Sequence, residues 1–183
     1  MRMHPVDPPY APEVQKLFDR LPASWAPPFL HFRILARDPR LLAHYLRGAV
    51  TYLQPSHLTL RQREVFLLRV TGRCRCAFEW TLRAHYFAEE ASLTEAQLRA
   101  SVISNAADPC WTRGEAVLVR LADELHDTSS IGDRLWSELR SAVSEEAVLQ
   151  LSLMAGHYRM NAYLTNGLEL PIDSRVRWPF PEA

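Results

Sequence analysis

Two cysteines separated by one residue are the feature of this sequence with the clearest chemical potential. Cys74 and Cys76 follow Gly72 and come just before an apolar helical stretch, so they lie at a predicted helix N-terminus. Unpaired backbone N–H groups and the positive end of the helix dipole stabilise a thiolate there. The neighbouring Arg73 and Arg75 add positive charge. We therefore expect thiol pKa values below the usual cysteine value of about 8.5, with a packing role equally open.

Helical periodicity places two charged residues on the same face as Cys76. Glu79 and Arg83 follow it by three and seven positions, which is the spacing of one helix face, and they are themselves an i, i+4 ion pair. His85 follows Cys76 by nine positions and points roughly 180° away, so it is a poor general base for that thiol. Glu64, in the preceding helix, is the remaining acid–base candidate.

The elements that must position these residues are all predicted helices. Glycine occurs only six times, apolar residues recur at helical spacing along most of the chain, and two capping boxes occur. The boxes begin at Thr59 and Thr94. We expect an all-α protein with about eight helices in one domain, 1–183, ending in an extended Pro- and aromatic-rich tail, 171–183.

Composition excludes several classes of function. The chain has 183 residues with 48% hydrophobic and 23% charged residues, which is an ordinary globular balance. Equal numbers of basic and acidic residues, 21 of each, argue against a nucleic-acid-binding protein. No apolar run is long enough to span a membrane, and three cysteines do not make a secreted disulfide framework. We expect a cytoplasmic protein that acts on a small molecule, with no cofactor and no metal.

Three segments resemble the carboxymuconolactone decarboxylase family, which includes the alkylhydroperoxidase D proteins. They read R-x-R-E-V-x-L-L-R-V at 61–70, C-x-C-x-F-E-W at 74–80 and E-E-A-S-L-T-E-A-Q at 89–97, and the run G-H-Y-R-M-N-A-Y-L-T-N at 156–166 agrees. The resemblance implies a family-like core at about 30–170. It also implies an all-α fold that assembles as trimers or hexamers. Together with the apolar tail Trp178-Pro-Phe-Pro, it leads us to expect a homo-oligomer, namely a dimer, trimer or hexamer.

The resemblance also assigns roles to individual positions. The peroxidase branch of the family carries E-x11-C-x2-C-x3-H, in which the Glu and His relay protons and the second Cys attacks the peroxide. Counted from Glu64, the first cysteine is Cys76, but Glu79 stands at the second cysteine and Arg83 at the histidine. Cys74 lies outside the motif, so the resemblance leaves a Cys74–Cys76 disulfide as the available pairing.

The first of three functions that remain open is a thiol oxidoreductase of alkylhydroperoxidase D type, a peroxidase. Cys76 would be the nucleophile, Cys74 its resolving partner and Glu64 the proton acceptor. The C-x-C pair at a helix start favours this function over the other two.

The second function is a cofactor-free lyase acting on a small carboxylate. Arg69 and Arg83 would hold the carboxylate, Glu79 or Glu64 would move the proton, and Trp80 is a predicted substrate contact. The third is a non-catalytic oligomer, in which the same four charged residues form a buried network of salt bridges.

Overall fold

The computed structural model describes residues 1–54 and 56–182, and none of these residues forms a strand. They form nine α-helices, one more than the sequence suggested, so the all-α class is confirmed. α9 is the longest helix, but no helix in the described part of the chain is long and apolar enough to cross a membrane. The helices are α1 Pro12–Phe18, α2 Leu30–Leu35, α3 Pro39–Thr51, α4 Leu60–Arg73, α5 Ala77–Phe87, α6 Glu95–Ile103, α7 Arg113–Thr128, α8 Asp133–Ala142 and α9 Glu145–Gly167, with a 3-10 turn at Ala23–Trp25.

Local capping chemistry sets several of the helix starts. Both predicted capping boxes are present: Thr59 with Gln62 opens α4, and Thr94 with Gln97 opens α6. In each box the threonine hydroxyl accepts from the backbone N–H three residues on, and the glutamine side chain accepts from the threonine N–H. These reciprocal bonds satisfy backbone donors that an uncapped helix leaves unpaired.

Gly72 lies where two helices pack closely. It lies inside α4, which continues to Arg73, and it does not have a positive φ. A Cβ atom at this position would lie 2.5 Å from the carbonyl oxygen of Ser101 in α6. Glycine is therefore required because the backbones of α4 and α6 approach each other closely.

α4 is the central helix of the fold. It contacts α5, α6, α7 and α9, and every residue from Arg63 to Gly72 is buried. Most of these residues are apolar and belong to the core, but three of them, Arg63, Glu64 and Arg69, carry charge. Burying a charge is costly unless it is paired, so the packing around α4 has to supply partners for all three.

The C-terminal tail covers the chain's own core. Residues 171–182 contain no helix, as predicted, and residue 183 lies outside the described residues. Trp178 and Phe180 pack against the cluster around Trp80, and the Phe180 ring meets the Trp80 ring edge-on at 5.6 Å between centroids. The tail is therefore not a free apolar surface, so a homo-oligomer prediction has to depend on another part of the molecule.

Candidate active site

A buried ion cluster links α4, α5 and α9. The carboxylate of Glu64 is fully buried and accepts from two nitrogens on one edge of the Arg83 guanidinium: Nε donates to Oε2 at 2.8 Å and Nη2 to Oε1 at 2.6 Å. Arg63 Nε donates to the same Oε1 at 2.8 Å. The remaining Arg83 nitrogen, Nη1, donates to the Tyr158 hydroxyl at 2.7 Å. The edge of Arg83 that would hold a carboxylate substrate is thus occupied by Glu64, which corrects the predicted substrate clamp.

Glu79 lies beside this cluster but is held less tightly. Its Oε1 is 3.6 Å from Arg83 Nη1, and its Oε2 accepts from Asn161 Nδ2 at 2.8 Å. The predicted Glu79–Arg83 pair is therefore present, but Arg83 pairs mainly with Glu64. Burial raises the pKa of Glu79 to about 7, although Arg83 and Asn161 oppose the shift. A carboxyl group that titrates near neutral pH can both donate and accept a proton under physiological conditions.

Glu79 and Arg83 face a small cavity between α2, α3, α5 and α9. Its volume is about 40 Å³, enough for about two or three water molecules. The walls are mainly aromatic: Trp25, Phe29, Phe32, Tyr45, Tyr86, Phe87 and Tyr158. The cavity therefore holds one titratable carboxyl group and one fixed cation within a mainly aromatic wall.

Two histidines also line the cavity. Burial lowers the pKa of His31 to about 3, with His157 adding to the shift, and burial lowers the pKa of His157 to about 4, with His44 and Arg83 adding to it. Both imidazoles are therefore neutral at pH 7. Nδ1 of His31 is buried without a hydrogen-bond partner among the described residues.

The inner cavity adjoins an open cleft of about 480 Å³. Trp25, Leu53, Tyr86 and Phe87 line both spaces, so these four side chains separate the cavity from the protein surface. Arg63 lines the outer cleft. A molecule larger than two or three waters would reach Glu79 only if these side chains moved. Glu90 also lines the outer cleft, so the entrance carries one charge of each sign.

Cys76 does not have the reactivity expected from its place at a helix start. It is the residue immediately before α5, but it is 0% exposed and its Sγ contacts the Thr165 hydroxyl at 3.2 Å. Burial raises the pKa of Cys76 to about 12 and outweighs the hydrogen bonds that stabilise the thiolate. Burial also raises the pKa of Cys74, although Arg159 and Arg73 oppose it. The expectation of two acidic thiols is wrong because burial penalises the thiolate more than the helix terminus favours it.

Two residues predicted to bind substrate lie away from the cavity. Arg69 donates through Nε and Nη2 to the carboxylate of Asp123, at 2.6 and 3.0 Å, and through Nη1 to the carbonyl oxygens of Ser101 and Ser104. It ties α4 to α6 and α7 and has no edge left for a substrate. Trp80 Nε1 donates to the Ser101 hydroxyl at 2.9 Å, so this side chain faces α6 and the tail. Neither residue lines the cavity.

The remaining candidate residues from the sequence also lie outside the Glu79 cavity. Cys74 and Cys76 are both free thiols, and Cys74 lines a different cleft, where its Sγ lies 3.8 Å from His126 Nδ1. His85 does not line the Glu79 cavity, as the helical phase predicted, and its ring packs against Tyr86 at 4.7 Å. The structure thus brings the Glu64 and Glu79 carboxyl groups together at one arginine and leaves Cys74 outside.

Four residues of the site were not predicted from the sequence: His31, His157, Tyr158 and Asn161. The last three occur in the G-H-Y-R-M-N run of α9, where helical spacing puts Tyr158 and Asn161 on one face. That spacing could have identified them as inward-facing polar residues. No sequence signal indicates which helix the face covers, and for His31 no pattern marks the position at all.

Comparisons with known proteins show similarity in fold. No protein-family model matches the sequence, and no curated protein matches it. The debrominase Bmp8, solved as a cysteine-to-alanine variant in complex with 2,3,4-tribromopyrrole, is 12% identical with a TM-score of 0.76, and the match covers 95% of this chain and 92% of that one. A protein of unknown function from Agrobacterium tumefaciens, named provisionally as the antioxidant defence protein AhpD, is 18% identical with a TM-score of 0.68, covering 76% of this chain and 94% of that one.

At these identities the shared property is the fold, because function depends on the particular residues of a site. The agreement extends over most of both chains, and it matches the all-α arrangement implied by the motifs around Glu64 and Cys76. The chain therefore has the alkylhydroperoxidase D-like fold that its sequence resemblance implied.

Proposed function

We propose that the protein is a cofactor-free lyase that delivers a proton to carbon in a small carboxylate substrate, with Glu79 as the general acid. The observation that carries this proposal is the Glu79 carboxyl group, whose pKa is raised to about 7 inside an aromatic cavity beside Arg83. A general acid works best when its pKa lies near the operating pH. Among the functions that the sequence left open, this one uses the groups that line the cavity.

The charges of the cluster support an acid role for Glu79. Arg63 and Arg83 carry two positive charges, and Glu64 and an ionised Glu79 balance them. An anionic substrate would then leave one uncompensated negative charge in a buried space, which is strongly unfavourable. A proton on Glu79 restores the charge balance, so binding of the anion raises the pKa of Glu79 further. Glu79 is then protonated before the reaction begins.

The proposed step is a decarboxylation. The bond between the substrate carbon and its carboxylate breaks, carbon dioxide leaves, and the electron pair stays on a substrate that carries its own electron-accepting carbonyl group. The Glu79 proton is transferred to the carbon, and Glu79 regains a proton from water through the outer cleft. Arg83 Nη1 and the Tyr158 hydroxyl, which lie 2.7 Å apart, face the negative charge that develops on the substrate.

A thiol oxidoreductase of alkylhydroperoxidase D type is the second candidate. Cys76 precedes α5 by one residue and lies one turn before Glu79, beside the Thr165 hydroxyl, so a thiolate there would be close to an acid–base group. A peroxidase cycle requires Cys76 to leave its buried position, since its pKa is about 12 there. Free Cys74, Cys76 and Cys110 suit the reducing cytoplasm in which we propose that the protein works.

Two variants, compared with wild type, separate the two candidates. Wild type, Glu79→Gln and Cys76→Ser are assayed for release of carbon dioxide from carboxymuconolactone, and for consumption of cumene hydroperoxide with dithiothreitol as reductant. We expect Cys76→Ser to release carbon dioxide like wild type and Glu79→Gln to be slower by about 100-fold or more. His85→Ala is the matched control on the same helix and should equal wild type.

The opposite pattern of results contradicts the lyase. Peroxide consumption that disappears in Cys76→Ser and persists in Glu79→Gln would favour the thiol function instead. Absence of both activities in a folded wild-type protein would favour a non-catalytic role for the ion cluster.

A homo-oligomer, whether dimer, trimer or hexamer, is also proposed, on the basis of α9. Four exposed apolar residues of α9 lie on one helix face, because they are separated by four, seven and three residues. They are Leu149, Leu153, Met160 and Tyr163, which are 68%, 65%, 41% and 68% exposed. Exposed apolar surface of this kind is typical of an interface between proteins.

Light scattering tests the α9 interface. We expect a mass that is a multiple of 21.0 kDa, falling toward the monomer in the double variant Leu149→Glu, Leu153→Glu. Leu41→Glu, at a 58% exposed position in α3, is the matched control and should keep the wild-type mass. A wild-type mass near 21 kDa at all micromolar concentrations would disprove the oligomer.

A further inference from the structure

A second cleft lies between α4, α7 and α9. Its volume is about 310 Å³, and it shares no described lining residue with the Glu79 cavity. Its apolar part is formed by Val70, Ala122, Leu125 and Ala155. Its polar part is formed by Cys74, His126, Ser129, Ser152 and Arg159. The volume is at the lower end of the range for small-molecule sites.

Cys74 and His126 are held beside each other in this cleft. The Cys74 sulfur lies 3.8 Å from Nδ1 of His126, which is hydrogen-bond distance for sulfur. α9 holds the backbone of both residues: Asn166 Nδ2 donates to the Cys74 carbonyl at 3.0 Å, and Arg159 Nη1 donates to the His126 carbonyl at 2.9 Å. These hydrogen bonds from α9 therefore hold the thiol and the imidazole next to each other, as a nucleophile and its base require.

The charges around the pair favour a neutral resting state. Burial raises the pKa of Cys74, while burial together with Arg159 and Arg73 lowers that of His126, with Asp127 opposing. The imidazole is thus unprotonated at neutral pH and has a nitrogen able to accept the thiol proton, but both pKa shifts oppose the transfer. Arg73 is paired with Asp127 at 2.5 Å, whereas Arg159 has no carboxylate partner among the described residues. Arg159 is therefore the cation that remains available to stabilise a thiolate or bind an anion.

We propose that Cys74 and His126 form a second reactive site, which undergoes thiol–disulfide exchange with a low-molecular-weight disulfide that carries carboxylate groups. His126 accepts the Cys74 proton, the sulfur attacks one sulfur of the disulfide, a mixed disulfide forms and a thiolate leaves. The proton then passes from His126 to the departing thiolate, so atoms and charges balance. The free charge of Arg159 selects the carboxylate, and the apolar residues contact the carbon chain. This site is independent of the lyase proposed for Glu79.

Oxidised glutathione is a suitable anionic probe and cystamine a cationic one. The intact protein is incubated with each, and the mass and position of the adduct are read by mass spectrometry. We expect one glutathionyl group on Cys74, none in Cys74→Ser, and a rate about 100-fold lower in His126→Gln. Cys110→Ser is the control, since Cys110 lies outside the cleft and burial, assisted by Asp108, raises its pKa to about 12. This variant should react like wild type.

Arg159→Gln separates recognition of the anion from reactivity of the thiol. We expect it to slow the reaction with oxidised glutathione by about tenfold and leave the cystamine reaction nearly unchanged. The proposal is overturned by an adduct on Cys110 or Cys76, or by no adduct in a wild-type protein with an intact helical spectrum. Equal rates in wild type and His126→Gln would also overturn it.

Discussion

Replacing Arg83 with histidine should lower the free energy of unfolding by about 3–5 kcal/mol, the usual cost of removing one partner from a buried ion pair. The guanidinium makes two bonds to Glu64 and one to Tyr158. Burial opposes the charge of Arg83, yet Glu64 and Tyr158 raise its pKa well above the ordinary value. An imidazole has two nitrogens in one small ring and cannot replace all three bonds, so Glu64 is left with Arg63 as its cationic partner. Urea denaturation at pH 7 measures the loss.

An exposed ion pair provides the control for this measurement. Arg2 and Glu169 lie 2.7 Å apart with side chains that are 64% and 55% exposed. Removing such a pair costs less than about 1 kcal/mol, so Arg2→Gln should be close to wild type. The double variant Glu64→Gln, Arg83→Met removes both buried charges and should lose less stability than the sum of its two single changes.

The same histidine variant also tests the family's relay position. If Arg83 merely occupies the place of a relay histidine, Arg83→His should raise peroxide turnover and leave stability unchanged. The bonds to Glu64 lead us to expect the reverse, with stability lost and no gain in turnover. Wild type should show no histidine limb near pH 6.5 from this position, because arginine stays protonated. Unchanged stability and unchanged turnover would contradict both roles for Arg83.

Glu79→Gln should abolish most of the lyase activity and at the same time make the protein more stable above neutral pH. The pKa of Glu79 is about 7 in the folded protein, against 4.5 as its ordinary value. The folded state therefore holds this proton more tightly than the unfolded state. The contribution of Glu79 to the free energy of unfolding is complete below pH 4.5 and is lost as the pH rises through 7. The difference between the two pKa values corresponds to a loss of roughly 3 kcal/mol in the free energy of unfolding above pH 7. Glutamine stays neutral and avoids this loss.

Unfolding at pH 5 and at pH 8 checks the sign of this effect. The stability of Glu79→Gln relative to wild type should be greater at pH 8. Glu115→Gln is the opposite control: burial raises the pKa of Glu115, but hydrogen bonds from Thr112 and Arg61 outweigh burial and lower it. That variant should be less stable than wild type at pH 8. A pH-independent difference for Glu79→Gln would show that the carboxyl group does not titrate near neutrality.

The pH profile of activity follows from the same pKa. As a general acid, Glu79 must be protonated, so the wild-type rate should fall as pH rises through about 7. Added substrate should move the fall to higher pH, because an anion beside Glu79 favours its proton. A rate that rises through the same range would identify Glu79 as a base and contradict the proposed step.

Local sequence determined the helices and their faces. The capping boxes at Thr59 and Thr94 fix where α4 and α6 begin, because the bonds that form them join residues three apart. The 3.6-residue period placed Glu79 and Arg83 on one face and turned His85 away from it, and the structure agrees. These features depend on neighbours within one or two turns, so a single sequence is enough to predict them.

Packing between helices decided what those faces touch. Arg83 pairs mainly with Glu64, 19 residues away, and Arg69 pairs with Asp123, 54 residues away, although both had been predicted to hold substrate. Periodicity gives the direction of a side chain but not the helix that covers it. Burial is likewise a property of the assembled core: it raises the pKa of Cys76 and of Glu79 in the same direction, disfavouring the thiolate and leaving Glu79 able to act as an acid near neutral pH.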